Sequence, residues 1–372
     1  MRRTPTLALT LALVLAWIIP AEAKWNIVMH DKRRYVTLED VATFYKMNQP
    51  VSDGQDFRLT AKGYSIKGKA NGRDVLINGV KYVLCFPIIS QKGKNLISAM
   101  DVVKIIEPIL RPQKIKDAAA VRTVILDAGH GGHDSGARGP LGAEKDAALD
   151  VVNRAKKLLQ ENGYRVHTTR STDTFIPLEK RPEFANKHRN AVFVSVHFNK
   201  SKGGGTGLET YCLAPRGVPS MDEENLRYSD FVQYPGHQND PENVALATAV
   251  HASLVRRLGL TDRGIKRARF VVIKNATLPA ILIEGGFMSG KPDYQLIATP
   301  AYRQKMAECI LEGINTYQAA VSGEIQYQKP SAIVSGTDPT TVPDLSQPVG
   351  SRTDSQGAVG QAQKLIEATV IK

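Results

Sequence analysis

Thr123-Val-Ile-Leu-Asp-Ala-Gly-His130 opens on a nearly unbroken apolar run and closes on a glycine and a histidine. A strand that is apolar at consecutive positions is covered on both faces, the condition of a parallel sheet packed between helices. Two further stretches share this grammar, Ala191-Val-Phe-Val-Ser-Val-His-Phe-Asn199 and Pro279-Ala-Ile-Leu-Ile-Glu-Gly-Gly-Phe287. Segments with helical spacing lie around them, at 144–162 before Gly163, 178–189, 243–258 before Gly259, and 301–319. Shorter strands read at 164–169, 207–213 and 270–273. This alternation predicts an α/β fold over residues 120–321, a three-layer domain with a mostly parallel twisted sheet flanked by helices.

The rest of the chain reads differently. Arg2 and Arg3 precede an uncharged, Leu/Ala-rich run ending at Ile19, and Ala21-Glu22-Ala23 is a small-residue cleavage pattern, so residues 1–23 read as a secretory leader. An uncleaved anchor is the competing reading, against which the run is short for a span and ends at Pro20. No other segment is apolar enough to cross a bilayer. The expected location is therefore outside the cytoplasm, in a periplasm or extracellular cell envelope. Residues 24–115 form a small α+β module, in which alternating strands at 63–69 and 74–86 surround a hairpin turn at Asn78-Gly79. Similar strand-then-helix patterns begin at Arg34 and Asn95 on either side. The module resembles the copper amine oxidase N-terminal-like domains found beside exported enzymes, which implies a targeting or spacer role. Residues 111–119 read as a linker.

Within the α/β region, 215–242 breaks the alternation with four prolines, an insertion of the kind that serves as a lid, a substrate loop or a flap. The tail from 322 to 372 is rich in Pro, Ser, Thr and Gly and is expected to be disordered, with a short helix at 361–371. The 372 residues carry a formal charge of +13. An exported basic protein meets anionic envelope polymers, lipid headgroups or wall material rather than nucleic acid, for which no motif is present. Cys85, Cys212 and Cys309 allow three buried thiols, or one disulfide and one thiol.

In open α/β sheets ligands collect beyond the carboxyl ends of the strands. His130, His197 and Glu284 all stand at such ends, and Glu144 opens the helix that follows the first strand. Each has an ordinary explanation: a polar residue at the sheet rim, a core histidine, or a glutamate favoured by the helix dipole. A carboxylate after Ala-Ile-Leu-Ile is harder to explain so, because burying an unpaired charge is costly. Together the four are expected to form a zinc hydrolase site, in which three protein ligands leave one position for water and the remaining residue, a carboxylate, moves its proton. Calcium would need an oxygen-rich loop that the chain lacks. Asn199 and His133 are candidate substrate contacts.

These residues lie within longer matching stretches. Leu126-Asp-Ala-Gly-His-Gly-Gly-His-Asp-Ser-Gly-Ala137, Gly142-Ala-Glu-Lys-Asp146, Ser195-Val-His-Phe-Asn199, Gly205-Thr-Gly-Leu-Glu209, Arg263-Gly-Ile265 and Ile283-Glu-Gly-Gly-Phe287 occur in this order over about 200 residues. In them the chain resembles the zinc-dependent N-acetylmuramoyl-L-alanine amidases of the AmiC/CwlV type, the amidase_3 family. The resemblance implies zinc ligands at His130, Glu144 and His197, a catalytic glutamate at Glu284, and peptidoglycan as substrate. Several members of that family carry an inhibitory helix where this chain has its 215–242 insertion. Another exported zinc hydrolase, a peptidase or deacetylase, and a non-catalytic wall-binding protein are the alternatives.

Overall fold

The computed structural model describes residues 25–221, 223 and 225–325. The leader expected at 1–23, the short helix expected at 361–371 and nearly all of the tail lie outside the described residues. The N-terminal module runs through β1 (Val28–His30), β2 (Arg33–Thr37), α1 (Leu38–Phe44), β3 (Val51–Asp53), β4 (Asp56–Ala61), β5 (Tyr64–Lys69), β6 (Asp74–Ile77), β7 (Val80–Val83), β8 (Ile89–Gln91), β9 (Lys94–Ser98) and α2 (Ala99–Asp101). A π-helical stretch then leads into α3 (Glu107–Leu110). The two strand-to-helix units repeat a physical device. Thr37 and Ser98 each accept a backbone N–H with the side chain, from Asp40 and Asp101, and so start the helix. Asn78 and Gly79 both adopt positive φ, the geometry of the tight turn between β6 and β7.

The larger unit comprises β10 (Thr123–Ala128), β11 (Arg138–Gly139), β12 (Gly142–Ala143), α4 (Glu144–Glu161), β13 (Arg165–Thr168), α5 (Lys180–Ala185), β14 (Ala191–Asn199) and β15 (Leu208–Leu213). It continues with α6 (Asp240–Leu258), β16 (Asp262–Ala268), α7 (Val271–Lys274), β17 (Ala280–Phe287), α8 (Lys291–Ile297) and α9 (Pro300–Ser322). Its strands are ordered β13-β10-β14-β17-β15-β16. β10, β13, β14 and β17 are parallel. β15 then pairs with β17 antiparallel and carries β16 parallel to itself. The sheet is mostly parallel, as the apolar runs indicate, but reverses once.

The two faces are unequal. Val124, Leu126, Val194, Val196, Ile281 and Ile283 pack in one core with residues of the long helices α4, α6 and α9. Ile125, Phe193, Tyr211 and Leu282 point the other way, against residues of the short α5 and α7. The thin second layer leaves room above the sheet where the candidate residues emerge.

Two expectations are corrected. The strand expected at 270–273 is not one. Val271–Lys274 is a helical turn, and the strand is Asp262–Ala268. Its charged sequence hides a buried position because nearly every charge is paired: Asp262 with His251 at 2.9 Å, Lys266 with Glu209 at 2.6 Å, and Arg267 with Asp240 at 2.6 Å. Nor are the two units joined only by a linker. β7 adds to β16 through Ile265 and Tyr82, so the sheet of the larger unit continues as β16-β7-β6-β5-β4-β3. Asp262 also accepts the backbone N–H of Lys81 at 2.8 Å, and the Tyr82 hydroxyl meets Thr248 at 3.0 Å. Residues of the expected linker dock too. The Arg111 guanidinium lies 4.6 Å from the centroid of the Phe44 ring, and Ile115 packs against the main core.

Cys85, Cys212 and Cys309 are buried and unpaired with one another, and burial pushes the thiols of Cys212 and Cys309 up to about 11. Among the described residues no helix is long and apolar enough to cross a membrane.

Candidate active site

β10 delivers the chain into a tight loop at the sheet edge. His130 takes φ +59°, a left-handed conformation that costs a non-glycine residue energy and needs support from its surroundings. Two buried arginines supply it. Arg181 binds the Asp127 carboxylate at 2.8 Å and donates to the carbonyls of Ala128 and His130, while Arg170 donates to those of Ala128 and Gly129. Gly129 is required for space: a Cβ there would stand 2.3 Å from His197 Cε1. A Cβ on Gly136 would stand 2.5 Å from Glu144 Oε2.

Loop, helix start and strand end bring three donors together. Ligand atoms of His130, Glu144 and His197 all lie within 4.8 Å of one another. Glu144 Oε1 is 3.1 Å from His130 Nε2 and 2.9 Å from His197 Nδ1. Its Oε2 accepts the backbone N–H of Ala137 at 2.7 Å, which sets the carboxylate plane. His130 Nδ1 is 2.8 Å from Asp134 Oδ2, so its Nε2 is the nitrogen turned to the cluster. Burial works against the ionised Glu144, but the two imidazoles outweigh it and hold the carboxyl well below the usual range. Burial likewise opposes a charged His130, yet Glu144 and Asp134 leave it raised.

Glu284 completes the row. On β17 it stands opposite His197 of β14 on one side and Glu209 of β15 on the other. Register partners share a sheet face. Its Oε2 is enclosed and makes no hydrogen bond among the described residues. Burial, then the like charges of Glu144 and Glu209, push its pKa well above the ordinary carboxylate value. A buried carboxyl oxygen without a partner, beside two imidazoles and a second carboxylate, suits a site completed by a divalent cation and a water.

Glu209 is the opposite case. It accepts from Arg263 Nε at 2.6 Å, Lys266 Nζ at 2.6 Å, the Tyr211 hydroxyl at 2.7 Å and Asn199 Nδ2 at 3.0 Å. Burial alone would raise its pKa, and these donors lower it. Asn199 is thus engaged with Glu209, and its Oδ1 takes the N–H of Lys200. His133 sits in the exposed loop, its ring centroid 4.2 Å from that of Phe175. Sequence reasoning gave no role to Asp134, Glu209, Lys266 or Arg170. The signal for Asp134 was its spacing of four from His130; Glu209 is a lone acid in the otherwise uncharged strand Leu208–Leu213.

The insertion belongs elsewhere. β15 runs antiparallel to β17, so its carboxyl end lies beside Ala280, at the edge opposite Glu284. The segment after it packs there: Arg269 pairs with Asp230 at 2.7 Å and donates to the Pro215 carbonyl, and His237 contacts the Ala214 carbonyl at 3.0 Å. Glu223 pairs with Arg227 in the same segment at 3.2 Å. The described part of 215–242 is therefore no lid over the cluster. Of the two segments that flank β15, the shorter one from β14 lies at the active edge.

Fold and site together define a hydrolase class: an α/β sheet that gathers two imidazoles and two carboxylates at one edge. The model of the N-acetylmuramoyl-L-alanine amidase family, Amidase_3, matches residues 124–316, from β10 into α9, and the chain belongs to that family. Its reaction is hydrolysis of the amide between N-acetylmuramic acid and L-alanine of peptidoglycan. The chain is 30% identical over 229 residues to N-acetylmuramoyl-L-alanine amidase AmiA of Escherichia coli, covering 55% of this chain and 78% of that protein. It is 34% identical over 196 residues to the uncharacterized protein YqiI of Bacillus subtilis, covering 53% and 84%. Among solved structures it is similar to the catalytic domain of CwlV from Bacillus (Paenibacillus) polymyxa, with 31% identity, a TM-score of 0.44, and 53% and 98% of the two chains covered.

Proposed function

We propose that this amidase is a zinc enzyme in which His130, Glu144 and His197 hold the metal and Glu284 moves the proton. The observation that carries the reading is the meeting of three ligand atoms within 4.8 Å beside a glutamate whose Oε2 has no partner among the described residues. Zinc, when bound, supplies Lewis acidity that makes hydroxide available near neutral pH and polarises the scissile carbonyl.

The chain's own residues do the rest. Glu144 Oε1 lies within reach of both imidazoles, which holds the three ligand atoms together at one point. Asp134 fixes the His130 ring through Nδ1, leaving Nε2 for the metal. Glu284, raised in pKa by its enclosure, takes the proton of the attacking water and returns it to the departing alanine nitrogen. Arg170 and Arg181 keep the loop of His130 closed on the sheet.

We place the protein in the cell envelope, after export, where its charge of +13 favours contact with anionic wall polymers. Purified protein incubated with peptidoglycan tests the site. Release of stem peptides with a new alanine amine and intact glycan is expected, lost on chelation and restored by zinc. Glu284→Gln should lose at least about a hundredfold in rate while keeping its zinc. Full release by the chelated protein, or by Glu284→Gln, would overturn the proposal.

A further inference from the structure

We infer that Arg263 is a specificity residue that binds a free carboxylate on the peptide stem; this rests on the amidase reading above and deepens it. β16 lies two strands from β17, so the backbone of Arg263 stands about 10 Å across the sheet from that of Glu284. The side chain returns toward the site, because its Nε donates to Glu209 Oε1, and Glu209 is the register partner of Glu284.

Three features show that the guanidinium is preset rather than free to wander. Its carbon lies 5.1 Å from the centroid of the Phe287 ring. Its Nε is held at 2.6 Å. Its stem runs over Gly207, where a Cβ would stand 2.8 Å from Arg263 Cγ. Yet the side chain remains 40% exposed, and neither terminal nitrogen makes a hydrogen bond among the described residues. The pairing with Glu209 leaves one positive charge over, since Lys266 sits on the same Oε1 at 2.6 Å and is nearly buried.

A held, partly exposed guanidinium with two terminal nitrogens free of hydrogen bonds among the described residues suits a carboxylate. It lies beside the row of His197, Glu284 and Glu209, where the cut amide must sit. An extended stem advances about 3.3–3.6 Å per residue, so a carboxylate on the second or third stem residue falls within reach.

The test uses the full chain loaded with zinc and carrying Glu284→Gln, to stop turnover. The probes are an N-acetylmuramoyl-L-alanyl-γ-D-glutamyl peptide with its α-carboxylate free, and the same peptide with that group amidated. Calorimetry should show the free acid binding about tenfold to a hundredfold more tightly. Arg263→Met should erase that preference, while Arg263→Lys retains part of it. Equal affinity for the two probes in the parent overturns the inference without any change at Arg263. So does an Arg263→Met protein that keeps the preference, or one that weakens both probes equally, which would make the arginine a brace for Glu209 only. Peptidoglycan hydrolysis by the unaltered chain is read separately. A preference without hydrolysis keeps Arg263 and removes the amidase reading; hydrolysis without a preference does the reverse.

Discussion

At the scale of single residues the site is an argument about partners. Glu144 and Glu284 are carboxylates at one sheet edge, yet the first is bonded to two imidazoles and two backbone N–H groups while the second has an oxygen with none. That difference pushes their pKa values apart, Glu144 down and Glu284 up. Asp134 acts through His130. Asp134→Ala is expected to weaken zinc binding by about 10–100-fold, measured by competition with a chromophoric chelator, with no comparable loss of melting temperature. Unchanged affinity would show that the Nδ1 contact does not orient the ring. His130, His197 and Glu284 were legible because each interrupts or ends an apolar run where a polar group needs a reason, and Glu144 because it opens the helix after the first such strand. Asp134 was marked only by its spacing of four from His130, and Glu209 hardly at all, because its cationic partners Arg263 and Lys266 lie 54 and 57 residues away in sequence.

At the scale of elements, β16 is the instructive strand. Asp-Arg-Gly-Ile-Lys-Arg-Ala reads as a surface segment, and a strand signal falls instead on the apolar residues just after it. Its burial depends on Glu209, Asp240 and His251, contributed by β15 and α6. The Asp240 pair makes this testable. Burial would raise the Asp240 carboxyl, but Arg267 and Lys104 outweigh it and its pKa is lowered from 3.8. A carboxylate depressed in the folded state adds stability that is complete above the unfolded value and is lost as pH falls below 3.8 toward the folded one. Asp240→Asn should therefore cost about 3–5 kcal/mol in denaturant unfolding at pH 7, by leaving Arg267 without its carboxylate, and the deficit should shrink as pH falls below 3.8. A deficit that stays constant with pH would assign the loss to packing instead.

Across the whole molecule, one sheet runs through both units, from β13 to β3. The module covers an edge of the catalytic sheet that would otherwise present unpaired backbone groups, and Lys104 reaches Asp240 across the boundary at 3.1 Å. Removing residues 25–110 is expected to leave a protein that aggregates or melts at least about 10 °C lower, read by scanning calorimetry and light scattering. A truncated chain with unaltered melting would mean that the shared sheet adds no stability. The sequence by itself determined the α/β layering, the parallel core strands, the three polar positions at their ends and Glu144 at a helix start, because period and the chemistry of element ends are local properties of the chain. Only the tertiary structure decided the reversal at β15, which sends the 215–242 segment to the edge away from Glu284, the fusion of the module through β7, and the bonding around Glu209. Those depend on which strand lies beside which, and strand adjacency follows from packing between residues far apart in sequence.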